Sequence, residues 1–294
     1  MAPLEPEVSA FTSKIHNDTY PEIDPLTVDH AGRYVVIVGA SKGIGREMAR
    51  SFTKAGASGI AIGARSALSS TVEAIKQAAT ESKKSLPKIL PLNLDVNSED
   101  SIAKAFSKVK EEFGRVDILV NNAGVVESPF RPIGDTVARD WWDVFTTNLR
   151  GTYLTTRAFL PLLLEKGSQK TVINTTSIAA HWVYPGSSAY GTSKLGVVRL
   201  TEFLDEEYSP RGLLTYTIHP GAIMTDLISR MPKEVHSQMT DTEALPANVI
   251  TYLTSERQEW LGGRYIACTW DVPELLARKD EIVAGNKLKV RLRV

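Results

Sequence analysis

Tyr190 and Lys194 stand four residues apart in the run Ser188-Ala-Tyr-Gly-Thr-Ser-Lys194, which opens a helical pattern over residues 188–208. On a helix that spacing is about one turn, so the two side chains share a face. An ammonium near a phenol favours the phenolate and lowers its pKa from about 10. A tyrosine so placed serves as a general acid or base near neutral pH. Ser177 lies thirteen residues before Tyr190, at the end of an apolar run and across a Pro185-Gly186 turn. Its hydroxyl can donate to the same oxygen that Tyr190 protonates. Taken alone, Tyr-x-x-x-Lys is a weak pattern, and a half-buried tyrosine beside a solvated lysine is its plainer reading. The elements around it decide between the two.

Tyr34-Val-Val-Ile-Val38 reads as a buried strand, ended by Gly39-Ala-Ser41-Lys42-Gly43-Ile44-Gly45. A helical pattern follows, with Ile44, Met48, Phe52 and Ala55 near one face. Further strands are expected over 59–63, 89–94 (ended by Asp95 and Val96), 116–120, 171–175, 213–218 and 265–268. Helices are expected over 68–83, 102–113, 139–164 (with Asn148 inside it), 188–208 and 247–255. Strand and helix alternating in this way imply right-handed crossovers. The continuous Val/Ile/Leu runs fit strands covered on both faces. The expectation is an α/β fold: one doubly wound, mostly parallel seven-stranded sheet of the Rossmann type. Residues 1–30, with four prolines, read as an extended arm that docks through Phe11, Ile15 and Tyr20. Residues 31–294 read as a single domain with a substrate loop at about 223–246 and a tail at about 270–294.

The 294 residues carry 34 Lys and Arg against 34 Asp and Glu, so no global field favours nucleic acid or an anionic membrane. A hydrophobic content of 43% is enough for a sizeable core. No apolar run reaches the roughly 18 residues of a membrane span. The start of the chain, with Pro3, Glu5 and Glu7, lacks the basic and apolar regions of a secretory signal. One cysteine, Cys268, leaves no internal disulfide. No His, Cys or acid grouping has zinc spacing, so no metal is expected. These features place the protein in the cytoplasm, acting on a small molecule.

Glycines 39, 43 and 45 fall where a strand turns into a helix, and the helix N-terminus there offers unpaired N–H groups and a positive dipole end to a diphosphate. Together these residues resemble the short-chain dehydrogenase/reductase family, of the type with a Ser-Tyr-Lys centre. The resemblance covers about residues 33–268, with the motifs in the family's order. It implies that Gly39, Ser41, Lys42, Gly43, Ile44 and Gly45 form a cofactor loop. Asp95 and Val96 would lie against adenine, and Asn121-Asn122-Ala123-Gly124 would be the motif after strand four. Pro220, Gly221, Ile223 and Thr225 would lie on the nicotinamide side. It further implies that Tyr190 exchanges a proton with the substrate oxygen and that Lys194 lowers its pKa and binds the nicotinamide ribose. Ser177 would orient the substrate oxygen, and Asn148 would hold a water that links Lys194 to solvent.

The residues after the second strand read Gly63-Ala64-Arg65-Ser66, with Ala64 where NAD-preferring relatives carry an acid. An arginine suits a 2′-phosphate and an acid suits a 2′-hydroxyl. Arg65, Ser66 and Lys42 therefore favour NADP over NAD. The 223–246 loop carries Met224, Leu227, Ile228, Met231, His236 and Met239, a set suited either to covering a substrate or to packing as a plain connector. Trp182, Val183 and Tyr184 suggest a bulky or cyclic substrate, and His181 beside them reads as a polar bystander rather than a second acid. The Trp260 to Tyr265 run and the Trp270-Asp271 tail resemble those of some fungal members of secondary metabolism. Two other readings stay open: an imine reductase or cyclase on the same fold, and a non-catalytic NADP-sensing regulator. The helices at 139–165 and 188–208 carry apolar residues on more than one side, including Leu149, Leu154, Phe159 and Val197. A homodimer is expected from them, with a homotetramer as the alternative.

Overall fold

Tyr34–Val38 forms β1, and its alternating side chains serve two cores: Val35 and Ile37 belong to one, Val36 and Val38 to the other. A strand covered on both faces needs a continuous apolar run, and β-branched residues suit its pleat. The computed structural model describes residues 10–230 and 233–292. Pro3, Glu5 and Glu7 of the arm, Met231 of the substrate loop and the last two residues lie outside that range.

The chain continues through α1 (Gly43–Lys54), β2 (Gly59–Ala64), α2 (Ser69–Ser82), β3 (Lys88–Asn93), α3 (Glu99–Phe113) and β4 (Ile118–Asn121). Next come α4 (Ala138–Phe145), a π turn (Thr146–Arg150) and α5 (Gly151–Leu163), with helical backbone angles throughout the junctions. β5 (Thr171–Thr175), α6 (Ser188–Tyr208) and β6 (Leu214–His219) follow. After α7 (Lys233–His236) and α8 (Ala244–Leu253), β7 (Tyr265–Ala267) completes the sheet, and α9 (Val272–Ala277) and α10 (Lys279–Ala284) make the tail.

The seven strands lie in the order β3-β2-β1-β4-β5-β6-β7, and every neighbouring pair is parallel. Met48 and Phe52 of α1 join Leu245 and Val249 of α8 in one core; Val109 and Phe113 of α3 join Phe159 and Leu162 of α5 in the other. The strand order reverses between β1 and β4, which opens a crevice at their carboxyl ends. At the opposite end, the buried Asp117 carboxylate accepts from Tyr34 N and Gln169 N, both at 2.8 Å, and so ties β1 to the turn before β5.

Two expectations change here. The single helix over 139–164 is interrupted by the π turn at Thr146–Arg150, so Asn148 sits in a widened turn rather than a regular one. Leu154, Phe159 and Val197 are buried within one chain, so they leave nothing for a second copy. The apolar side chains left exposed on these helices are Trp142, Tyr153, Leu195 and Phe203.

The described part of the N-terminal segment runs against the tail. Phe11 lies 5.2 Å from the Trp270 ring, under the Arg278 guanidinium, and Val272 N donates to Tyr20 Oη at 2.9 Å. Ile15 joins by a backbone bridge to Trp270 and its side chain stays exposed.

Candidate active site

β5 ends at Thr175, and Ser177 then begins a 3-10 turn over Ile178–Ala180, its Oγ accepting from Ala179 N at 3.2 Å. This turn packs on α6 and brings the Ser177 hydroxyl close enough to the Tyr190 phenol to pull its pKa down. Lys194, one turn further along α6, is buried, and its Nζ donates to the Thr175 carbonyl at 2.9 Å. The same Nζ stands 5.7 Å from the centre of the Tyr190 ring. Ser177, Tyr190 and Lys194 thus converge beyond the carboxyl end of β5.

The electrostatics differ from the expectation that Lys194 lowers the tyrosine pKa. Burial pushes the Tyr190 phenol upward; the Ser177 hydroxyl pulls it down and the Glu127 carboxylate raises it further. Burial also pushes Lys194 down, to about 8. Desolvation disfavours the charged form of both groups. Tyr190 therefore starts as a firmly protonated phenol, the state a proton donor needs.

Asn148 is placed by the π turn. Its Oδ1 accepts from Val125 N and its Nδ2 donates to Val125 O, both at 2.9 Å, and Nδ2 also donates to Ser193 Oγ at 3.0 Å. Both amide protons are thereby used, and one acceptor lone pair on Oδ1 remains. A Cβ built on Gly124 would stand 3.3 Å from Asn148 Oδ1 and 3.4 Å from Lys194 Nζ, so both side chains border that glycine.

The glycine loop lies at the β1–β4 crevice. Gly39 has φ +88°, and a Cβ there would meet Ala123 N at 2.6 Å, so only glycine allows this approach of the two strand ends. Asn122 Nδ2 donates to Gly39 O at 2.9 Å and locks the loop. Gly45 is buried against Ala40 and Gly39, while Ser41 and Ile44 are half-buried along the loop. Gly43 is different: a Cβ there would meet nothing closer than 3.6 Å, where Glu243 Oε1 lies. No side chain of the preceding residue caps the first turn of α1. This open, uncapped helix N-terminus fits the diphosphate of a dinucleotide.

Arg65 and Ser66 are exposed just past β2, and Ala64 is buried beneath them. Asp95 follows β3, where its Oδ1 accepts from Asn97 N at 3.0 Å. Val96 is buried against Gly151, and Asn97 Nδ2 donates to Thr147 Oγ1 at 3.0 Å, tying this loop to the π turn. Beyond β6, Pro220, Gly221, Ile223 and Thr225 run past the same crevice, with the Thr225 methyl facing Gly43. Every candidate residue thus lies at the carboxyl ends of the strands.

Three placements depart from the simple picture. Lys42 is ion-paired with Asp226 of the loop after β6 rather than standing alone beside Arg65. His181 turns away, its ring edge-on to Tyr265 with centroids 4.6 Å apart. Glu127, which the sequence did not single out, accepts from Ala189 N at 2.9 Å and Tyr190 N at 3.1 Å. Its partners lie more than sixty residues away, so no local pattern marks it.

A crevice at the strand-order reversal, a glycine loop and a Ser-Tyr-Lys cluster define the class: a nicotinamide-dinucleotide oxidoreductase of the Rossmann type. The chain matches the family model for short chain dehydrogenase over residues 33–236 and belongs to that family, whose enzymes act on CH–OH and C=O groups. It is 49% identical over 289 residues to the short chain dehydrogenase citE of Monascus ruber, covering 98% of each chain. It is 40% identical over 294 residues to the short chain dehydrogenase andI of Emericella variicolor, covering 99% of this chain and 100% of that one. Among solved structures, a short-chain type dehydrogenase/reductase from Mycobacterium marinum superposes with a TM-score of 0.72 at 27% identity, covering 84% of this chain and 97% of that one. Levodione reductase superposes with a TM-score of 0.72 at 26% identity, covering 80% and 95%.

Proposed function

We propose that the protein is an NADP(H)-dependent reductase that converts a ketone or aldehyde on a bulky or cyclic small molecule to the alcohol, and can run in reverse. The observation that carries this reading is the convergence of Ser177, Tyr190 and Lys194 beyond β5, with Lys194 Nζ 5.7 Å from the centre of the Tyr190 ring. A substrate carbonyl oxygen placed between the two hydroxyls receives a hydrogen bond from Ser177 Oγ and the proton from Tyr190 Oη. When bound, the cofactor supplies the hydride to the carbonyl carbon. As that carbon accepts hydride, charge grows on the oxygen, and both hydroxyls stabilise it. Lys194 supports the phenolate left on Tyr190, and its Nζ lies toward the Asn148 carboxamide, through which a proton can return by way of water.

Arg65 at the exposed end of β2, with no acid at Ala64, supports NADP over NAD. The exposed aromatic residues Trp142, Tyr153 and Phe203 on α4, α5 and α6 support a homodimer paired through these helices. The similarity to a levodione reductase supports carbonyl reduction, and the fungal relatives support a place in secondary metabolism.

The test is Tyr190→Phe assayed with NADPH and a panel of aldehydes, ketones and cyclic imines, 2-decalone among the ketones. Removal of the hydroxyl is expected to lower turnover by about 10²–10⁴ with NADPH binding retained. Near-full ketone reduction by this variant would sink the assignment. Reduction confined to cyclic imines would favour an imine reductase, and NADPH binding with no turnover of any panel member by the wild type would favour a regulator.

A further inference from the structure

We propose that Glu127 is a positioning residue for Tyr190: from the loop after β4, its carboxylate closes the N-terminus of α6 and fixes the phenol against Ser177. This inference rests on the reading of Tyr190 as proton donor.

The start of a helix leaves about four backbone N–H groups without intrahelical partners. Ser187, the residue that would ordinarily cap α6, does not do so; its Oγ donates to Tyr184 O at 2.8 Å instead. Glu127 fills the role from outside, Oε1 taking Ala189 N at 2.9 Å and Oε2 taking Tyr190 N at 3.1 Å. One carboxylate oxygen thus holds the amide of Tyr190 itself. A negative charge here also meets the positive end of the helix dipole. The loop that carries Glu127 is braced on the same turn. Phe130 lies 5.8 Å from the Tyr184 ring, and a Cβ on Gly186 would meet Phe130 Cβ at 2.8 Å, so the two segments pack with no room to spare. Trp141 of α4 adds a bond from Nε1 to Ser188 Oγ at 3.0 Å.

The placement has an electrostatic side. Of the charged and titratable groups facing Tyr190, Lys194 belongs to α6 itself and Glu127 comes from the loop after β4. The turn after β5 brings the neutral Ser177 hydroxyl, α4 brings the neutral Trp141, and β6 ends at His219. Glu127 is therefore the one carboxylate acting on the phenol among the described residues, and its charge adds to the burial that holds the proton on Tyr190. A local clasp thereby does two things: it sets where the ring stands, and it reinforces the burial that keeps the ring protonated until a carbonyl oxygen develops charge beside it.

The test compares Glu127→Gln, which keeps size and one acceptor oxygen but loses the charge, with Glu127→Ala, which removes both. In Glu127→Ala, hydrogen exchange at the Ala189 and Tyr190 amides is expected to speed up by roughly tenfold or more, with the α6 amides beyond Lys194 unchanged. In Glu127→Gln, ionisation of Tyr190, read as tyrosinate absorbance against the matching Tyr190→Phe background, is expected at lower pH than in the wild type. NADPH affinity, read by cofactor fluorescence, is expected to stay within about twofold, because the clasp does not touch the glycine loop. Unchanged amide protection in Glu127→Ala, or a Tyr190 that ionises no earlier in Glu127→Gln, overturns the proposal. Should Glu127→Ala fail to fold, the titration of Glu127→Gln decides alone. Full turnover by Tyr190→Phe would instead sink the proton-donor reading, an outcome that these two measurements do not mimic.

Discussion

Asn148 and Ser193 are joined at 3.0 Å, Nδ2 to Oγ, and that bond ties the π turn to the helix of Tyr190 and Lys194. A regular turn at Thr146–Arg150 would rotate the carboxamide off Val125 and Ser193 together. The widened turn is what lets one buried side chain reach the loop after β4 and α6 at once.

Asn148→Leu keeps the volume and removes all three hydrogen bonds, leaving Val125 N–H and C=O without this partner. The expected cost is about 2–4 kcal/mol of stability, with a large fall in turnover and little change in NADPH binding. Urea unfolding monitored by circular dichroism checks this; a midpoint equal to the wild type would show that the loop finds other partners.

Arg65→Ala is expected to weaken NADPH binding by roughly 10–100-fold, the loss of charge-assisted hydrogen bonds to a phosphate, and to leave NADH nearly unchanged. Lys42 adds a second arm to this experiment, because Asp226 competes for it. Asp226→Asn frees the ammonium and is expected to tighten NADPH more than NADH. Titration of each variant with both cofactors distinguishes the outcomes, and equal weakening for the two in Arg65→Ala would remove Arg65 from 2′-phosphate recognition.

His30 sets a pH limit on stability. Burial pushes its pKa from 6.5 down to about 4. Its Nε2 bonds Thr251 O at 2.9 Å, and its Nδ1 faces Arg33 Nη1 at 3.2 Å, an arrangement that suits the neutral ring. Between about 4 and 6.5 the unfolded chain binds more protons here than the folded one, so the stability present above pH 6.5 is lost as pH falls through that window. The share from His30 is on the order of 2–3 kcal/mol. His30→Gln is expected to flatten the difference between urea midpoints at pH 7.5 and pH 5; a slope as steep as the wild type's would assign the effect elsewhere.

Phe203→Glu, alone and with Trp142→Glu, tests the helical interface. Phe203 is 56% exposed and Trp142 58%, so neither change disturbs the core of one chain. The wild type is expected to scatter light as a dimer and the double variant as a single chain, with thermal stability lowered through the lost association. A wild type of single-chain mass at micromolar concentration would exclude the interface.

The strands were legible because most are short runs built around Val, Ile or Leu, as in Tyr34–Val38 and Ile118–Asn121. Tyr34–Val38 and Thr171–Thr175 fall where the sequence puts them, and others move by a residue or two at their ends. The π turn was not legible, because Thr146–Arg150 has no composition that separates it from the helices on either side. The dimension most poorly read was long-range polar contact. Glu127 serves amides sixty-two and sixty-three residues away, and Lys42 meets Asp226 across 184 residues. The effect of burial on Tyr190 was missed for the same reason: the sequence shows the lysine one turn away, but not how much water is excluded around both.

Asp241 ties two distant segments together through three hydrogen bonds. Its Oδ2 accepts from Ala222 N at 2.6 Å, its own N–H donates to Ala222 O at 2.9 Å, and its Oδ1 accepts from Asn17 Nδ2 at 2.6 Å. Thr242 N donates to Asn17 O at 2.9 Å, and Asn248 Nδ2 to Thr19 Oγ1 at 2.6 Å. The stretch between Ala222 and Asp241 is thus a handle with both ends bolted to one post, and the post is itself stayed by the N-terminal segment. Shortening the chain through Asn17, far off in sequence, would slacken the handle at its root while the sheet and glycine loop stood intact.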